Sequence, residues 1–472
     1  MPGFYVENFG CRATQADGAA IERQFIDRGL ARSENAELAE VVVLNTCTVT
    51  ASADQDVRSS IRRIHRQNPD CKILVTGCYA QRAPQELANI AGVSWVVGNS
   101  HKHQIGEVAC GTGAQGFVAL ENIGTGDHVR SNAEILIGDI FAHTELLAAP
   151  VFDADTASEK TRPNLKVQDG CNNRCSFCII PSVRGHSRSL PVADVIREVN
   201  GLVANGYREI VISGINLGRW GRDLQVGNSH VGAGALTCPT GAQQRLVFSD
   251  LIQLILKQTN LEKIRISSVE PMDWTDELIA LCAGTKRIAK HAHVPMQSGS
   301  DRVLRLMHRK YRPWHYREKI EKLRHAMPTA AIGADVMVGF PGETDADFEE
   351  TRSFIASLPM TYLHVFTFSA RPGTPAAAMP NQVHPQVMKE RNRILRDLAA
   401  EKKREFQQQF IGQTFQAITL TNFNGTHTEC LTDNYQKLWL EGRHEANQWV
   451  RPRTIDIVGD ALVGLISDNS DL

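Results

Sequence analysis

Short apolar runs alternate with helix-like stretches in two separate series, and a chain patterned this way is expected to build parallel sheets. In the first series "FYVENFG", "AEVVVLNTC", "CKILVTGC" and "SWVVGN" have the look of strands, with "ADGAAIERQFIDRGL" and "SADQDVRSSIRRIHRQ" as helices between them. A doubly wound parallel sheet is predicted over residues 1–108. Cys11, Cys47 and Cys78 each come directly after an apolar run. They should lie on loops at the carboxyl ends of strands, the edge where open parallel sheets build their sites, so three thiols far apart in sequence can meet there.

The second series is "NLKVQDG", "EIVISGIN", "KIRISSVEP", "KHAHVPMQ", "AAIGADVMVGFPG" and "YLHVFTFSARPG". Six strand–helix units predict a partial (β/α)6 barrel over residues 164–382, two units short of the closed form, with its working edge at the carboxyl ends of the strands. Between the two series, residues 109–163 lose periodicity and form a connecting segment that ends in the exposed-looking "ASEKTRP". A charged helix over 383–411 leads to residues 412–472, whose short runs "TFQAITLTNF", "YQKLWLEG" and "RTIDIVGDALVGLI" predict a small all-β domain. The Gly-rich "GNSHVGAGALTCPTGAQQR" interrupts the barrel as a surface loop, and Cys238 within it is incidental.

With 472 residues, 42% hydrophobic, 22% charged and a net charge of -1, the chain has several domains' worth of core and no global excess of positive charge. The N-terminus carries no pattern of a secretion signal, and no run approaches the roughly 18 apolar residues of a membrane span. A cytoplasmic protein is expected, with its 11 cysteines held as thiols or metal ligands rather than disulfides. Positive charge is local: between Lys286 and Arg324 twelve Lys and Arg face three Asp and Glu, with Tyr311, Trp314 and Tyr316 interleaved. That mixture suits phosphates and stacked bases, and equally a solvated helix face.

Within "QDGCNNRCSFCIIPSVRGHSRS", Cys171, Cys175 and Cys178 place three soft ligands in one short loop, which fits iron–sulfur or zinc coordination. Zinc would call for a fourth ligand, and His186 is the nearest candidate. The C-x3-C-x2-C spacing, with Phe177 before the last Cys, resembles the radical S-adenosylmethionine (SAM) superfamily. That resemblance implies a 4Fe-4S cluster on Cys171, Cys175 and Cys178, with SAM bound at the iron that no cysteine holds. It makes Phe177 and the polar strand ends Ser213, Gly214, Glu270, Gln297, Gly339, Gly342 and Glu343 candidate cofactor contacts. Each of these also has an ordinary structural reading as a cap or loop hydrogen bond.

The motifs "NFGCRATQADG", "VVVLNTCTVT" and "ILVTGCYAQ" ahead of such a barrel resemble the methylthiotransferase family. The resemblance implies a second 4Fe-4S cluster on Cys11, Cys47 and Cys78, and a C-terminal domain similar to the TRAM RNA-binding module. It also implies tRNA as partner and an electron donor such as flavodoxin or ferredoxin. Cys71, Cys110, Cys282 and Cys430 fall outside these motifs and are expected to be buried small hydrophobes. "QDGCNNRCSFCIIPSVRGHSRS" and "LTDNYQKLWLEG" are most similar to the branch that acts on threonylcarbamoylated adenosine beside the anticodon. The alternatives are a prenylated tRNA adenosine, an aspartate of a ribosomal protein or, outside enzymes, a zinc-containing RNA-binding protein.

Overall fold

The computed structural model describes residues 3–111, 133–142, 161–224 and 245–466. They fall into two compact units: Met1–Pro150, Gln168–Arg188 and Ser369–Ala377 form the first, and Val151–Val167, Ser189–Phe368 and Ala378–Leu472 the second.

The first unit holds strands β1 (Gly3–Asn8), β2 (Ala31–Arg32), β3 (Val41–Thr46), β4 (Lys72–Gly77), β5 (Val93–Gly98) and β6 (Glu134–Leu136), in the order β2-β1-β3-β4-β5-β6. All pairs are parallel. Alternation along β3 explains the two-sided burial. Val41 and Val43 pack with Ile21 and Phe25 of helix α1 (Arg12–Ile26), while Val42 and Leu44 pack with Val57, Ile61 and Ile64 of α2 (Ala51–Gln67). Successive side chains of a strand point to opposite faces, so a continuous β-branched run belongs in a strand covered on both sides. Because β2 lies outside β1 while the later strands follow on the other flank, the order reverses between β1 and β3, and such a switch point is where doubly wound sheets bind ligands. The span expected only to connect contributes β6, which pairs with β5.

In the second series, β7 (Asn164–Asp169), β8 (Arg188–Ser189), β9 (Glu209–Gly214) and β10 (Lys263–Ile266) form a sheet ordered β10-β9-β7-β8. Strands β11 (His291–His293), β12 (Ala331–Val338) and β13 (Tyr362–Thr367) form another, in chain order. Parallel bridges Ile264–Ile288 and Ser268–His293 continue the pairing from β10 toward β11. The strands β7, β9, β10, β11, β12 and β13 are the six of the expected partial barrel.

After the helix Pro385–Gln408 come β14 (Ala417–Phe423), β15 (His427–Thr432), β16 (Lys437–Glu441), β17 (Trp449–Val450), β18 (Arg453–Val458) and β19 (Ala461–Leu465). They curl into one sheet ordered β17-β14-β15-β16-β19-β18 around Ala417, Cys430, Leu438, Leu440 and Leu462. The turn between β15 and β16 docks on the barrel of the same unit. Lys263 Nζ donates to Asp433 at 2.7 Å, Asn434 donates to the Thr329 carbonyl at 3.1 Å, and the Tyr435 ring lies 4.3 Å from that of His291. The Gly-rich loop with Cys238 lies outside the described residues. No helix among the described residues is long and apolar enough to cross a membrane.

Candidate functional site

The three N-terminal cysteines stand at the carboxyl ends of β1, β3 and β4, which are neighbours in the sheet. Cys11 is the N-cap of α1, Cys47 follows β3 and Cys78 opens the short helix α3 (Cys78–Arg82). Gly10, with φ of 106°, lets the first turn lie against the second: a Cβ there would fall 2.6 Å from Cys47 Cβ and 2.9 Å from its Sγ. Burial, then the neighbouring Cys78 and Cys11, push the Cys47 thiol up to about 12. Three thiols brought to the ends of neighbouring strands, with Cys47 and Cys78 buried, suit a site where metal replaces the protons, since soft thiolates are stable in burial only when a cation accompanies them.

Cys171 follows β7 through Gly170, whose φ of 71° and a Cβ that would fall 2.0 Å from the His186 carbonyl oxygen leave no room for a side chain. The Cys171 N–H donates to Gly185 at 3.1 Å, the Asn173 N–H points at Cys171 Sγ at 3.4 Å, and Cys178 N–H closes a turn on Cys175 at 3.1 Å. Amide donors aimed at sulfur are the kind of contact that tunes iron–sulfur centres. His186 is exposed, with Nδ1 3.2 Å from Asn172 and its ring against Phe141. Among the described residues no three His, Cys, Asp or Glu converge as ligands of one ion. A cluster makes no such demand, because each thiolate takes a separate iron.

Both triads belong to the first unit. Ile179, next to Cys178, and Val183 pack on Cys78, while Asn99 donates to the Val183 carbonyl at 2.8 Å and lies 3.6 Å from Cys78 Sγ. A buried ion network runs beneath: Lys102 to Asp17 at 2.9 Å, Arg184 to the same carboxylate at 2.9 Å, and Arg184 to both oxygens of Asp169 at 2.9 and 3.1 Å. The segment Ser369–Ala377 straps the unit. Arg371 donates to the Thr48 carbonyl at 3.2 Å and to Asp54 at 3.0 Å, and the Ala376 N–H donates to Ser176, between Cys175 and Cys178, at 2.8 Å. None of Asp17, Asn99, Lys102, Arg184 or Arg371 stood out in the sequence; a charge among the small residues of "ADGAA" was the only trace.

The remaining candidates divide. Gln297 is buried in the second unit with φ of 64°, and among the described residues its Oε1 has no hydrogen-bond partner, so it presents an acceptor that a ligand could use. Ser213 is buried with its hydroxyl 3.3 Å from the Leu165 carbonyl, Gly214 ends β9, and Phe177 is half-buried. Gly342 has φ of 80°, and a Cβ there would meet only Leu306 Cδ1, at 3.9 Å, among the described residues. Three candidates are engaged by the protein itself. Glu270 pairs with Arg309, Glu343 takes the Gly339 N–H at 3.0 Å and Arg391 at 2.5 Å, and a Cβ on Gly339 would strike Met388 at 2.1 Å.

The basic segment Lys286–Arg324 is a correction. Tyr311 and Tyr316 are buried and donate to barrel carbonyls, because Tyr316 shares the apolar stripe of its helix with Ile320 and Leu323. Arg287, Lys290 and Arg324 spend their donors on backbone carbonyls. Trp314 alone of the three aromatics is exposed. Cys71, Cys282 and Cys430 are buried as expected, whereas Cys110 is exposed.

Residues 3–98 match the family described as "Uncharacterized protein family UPF0004", and residues 165–355 match the radical SAM superfamily. The chain is 34% identical to the threonylcarbamoyladenosine tRNA methylthiotransferase MtaB of Aquifex aeolicus over 94% of this chain and 98% of that one. It is 36% identical to the protein of that name from Bacillus subtilis, over 92% and 90%. Among solved structures it resembles the radical SAM methyltransferase TsrM of Kitasatospora setae, with a TM-score of 0.54 and 13% identity over 79% of this chain and 74% of that one, a likeness of fold. Taken with the C-x3-C-x2-C loop and the six parallel barrel strands, matches running nearly end to end make this chain a member of the radical SAM tRNA methylthiotransferase family, enzymes that use SAM and a 4Fe-4S cluster.

Proposed function

We propose that this enzyme converts N6-threonylcarbamoyladenosine beside the anticodon of tRNA to its 2-methylthio derivative. The observation that carries the substrate is the near full-length match to relatives named for threonylcarbamoyladenosine. The target carbon carries neither an acidic proton nor a leaving group, so general acid–base or nucleophilic catalysis has no purchase on it and a cofactor must supply the reactivity. Bound on Cys171, Cys175 and Cys178, a 4Fe-4S cluster with SAM supplies a 5'-deoxyadenosyl radical able to take that hydrogen.

Everything else falls to the chain. Cys11, Cys47 and Cys78 would hold a second 4Fe-4S cluster, which would supply the sulfur chemistry of the reaction. The amide donor on Cys171 and the turn at Cys175–Cys178 would fix the first set of ligands.

Residues 1–108 act as the sulfur-carrying domain, 164–382 as the radical barrel and 412–472 as a TRAM-like RNA-binding domain, joined by the segments 109–163 and 383–411. The enzyme works in the cytoplasm, with flavodoxin or ferredoxin as electron donor. Mass spectrometry of nucleosides from tRNA of a strain lacking the protein tests the proposal. Threonylcarbamoyladenosine should accumulate without its 2-methylthio group. Loss of a prenylated methylthio nucleoside instead, or no change in tRNA, would overturn it.

A further inference from the structure

We propose that Arg184 is a positioning residue shared by both cysteine triads: it locks the Cys171–Cys178 loop to the helix that begins after Cys11 and provides the fixed positive charge beside the N-terminal thiolates. The inference rests on the two-cluster reading above. Arg184 is 2% exposed. Its Nη1 donates to both Asp169 oxygens, and Asp169 is the last residue of β7, just ahead of Cys171. Its Nη2 donates to Asp17 on α1, 167 residues away in sequence. The short helix Ile180–Arg184, which follows Cys178, carries the guanidinium and packs Val183 against Cys78. One planar fork therefore joins the ends of one cysteine loop to the support of the other, a task that the rigid geometry of arginine fits and the point charge of lysine does not.

The charges point beyond packing. Lys102, Arg184 and Arg188 face Asp17 and Asp169, and a buried ion network of this kind is a poor source of stability, since apolar side chains of similar volume do as well. It does place a cation where thiolates need one. Arg184 directly follows Val183, which packs on Cys78, and it holds Asp17 on the helix that Cys11 caps, so its charge is fixed beside the ends of β1 and β4. One-electron reduction makes a thiolate-bound cluster more negative, so a fixed cation nearby favours the reduced state and raises its potential.

The test uses full-length, anaerobically reconstituted protein in which Cys171, Cys175 and Cys178 are all replaced by Ala, so that only the N-terminal triad can hold iron. Iron and sulfide are measured first; a parent that binds neither overturns the two-cluster reading and this inference with it. In a loaded parent, Arg184→Gln should move the midpoint of a dithionite titration, followed by electron paramagnetic resonance, to more negative potential. Arg184→Lys should stay nearer the parent because it keeps the charge, and Asp17→Asn should move the midpoint to more positive potential. An unmoved midpoint in Arg184→Gln at full iron content overturns the proposal. So does a loss of iron in Arg184→Gln together with an unmoved midpoint in Asp17→Asn, which would leave Arg184 a packing role only.

Discussion

In the barrel unit Asp347 accepts hydrogen bonds from Ser300 at 2.8 Å, Thr344 Oγ1 at 2.5 Å and Arg302 Nε at 3.1 Å, and so ties the helix Asp345–Ser357 to the turn before Asp301. Burial alone would raise this carboxyl, but Arg302, Thr344 and Ser300 hold it well below the ordinary aspartate range. A depressed folded pKa gives stability that is present above the unfolded value of about 3.9 and is lost as pH falls toward the folded one. Asp347→Asn should therefore cost about 2 kcal/mol at neutral pH, the scale of hydrogen bonds to a charged group. In thermal melts the gap between parent and variant should close as pH falls from about 5 to about 2. A gap of constant size would mean that shape, not charge, is what Asn fails to supply. Thr344 followed three residues later by Asp347 is a local capping pattern visible in sequence, whereas Arg302 and Ser300 come from another loop.

The strap Ser369–Ala377 follows β13 and yet belongs to the unit of the two triads. Its hold is concentrated at Arg371, which shares Asp54 with Arg82, each at 3.0 Å, while Thr48 donates to the other oxygen of that carboxylate at 2.6 Å. Thr48 adjoins Cys47, so loosening the strap should be felt at the N-terminal triad. Arg371→Ala leaves Asp54 paired with Arg82, which spares it the full penalty of a lone buried charge. Hydrogen exchange read by mass spectrometry should rise in residues 369–377 and 48–54, with slower iron uptake by the N-terminal triad. Unchanged protection would show that the Ala376 N–H on Ser176 and the Ser369 hydroxyl, which accepts from the Ala51 N–H, suffice. Alternation foretold β3 and its two faces, but nothing in "FSARPG" says which unit it serves.

At the scale of the whole chain, the C-terminal all-β domain is packed into the barrel's own support. Removing Gly412–Leu472 would strip Asp433 from Lys263 and the carbonyls of Thr432 and Asp433 from Arg265, leaving both cations in the barrel with fewer partners. Truncated protein should melt well below the full chain, and Tyr435→Ala alone, which removes the ring set against His291 and Arg265, should cost about 2 kcal/mol. Equal melting of the full and truncated chains would make the docking incidental. The sequence by itself determined the parallel sheet, the six barrel strands, the all-β end, and the placing of Cys11, Cys47 and Cys78 at strand ends and of Cys171, Cys175 and Cys178 in one loop after a strand, because side-chain period and strand ends are local properties of the chain. Only the tertiary structure decided that Arg184 meets Asp17, that Tyr311 and Tyr316 are core rather than stacking platforms, and that Glu343 is held by Arg391. The two ion pairs join residues far apart in sequence, which no local periodicity encodes; Tyr316 follows the apolar stripe of its helix, but both tyrosine hydroxyls find their carbonyls only in the folded barrel.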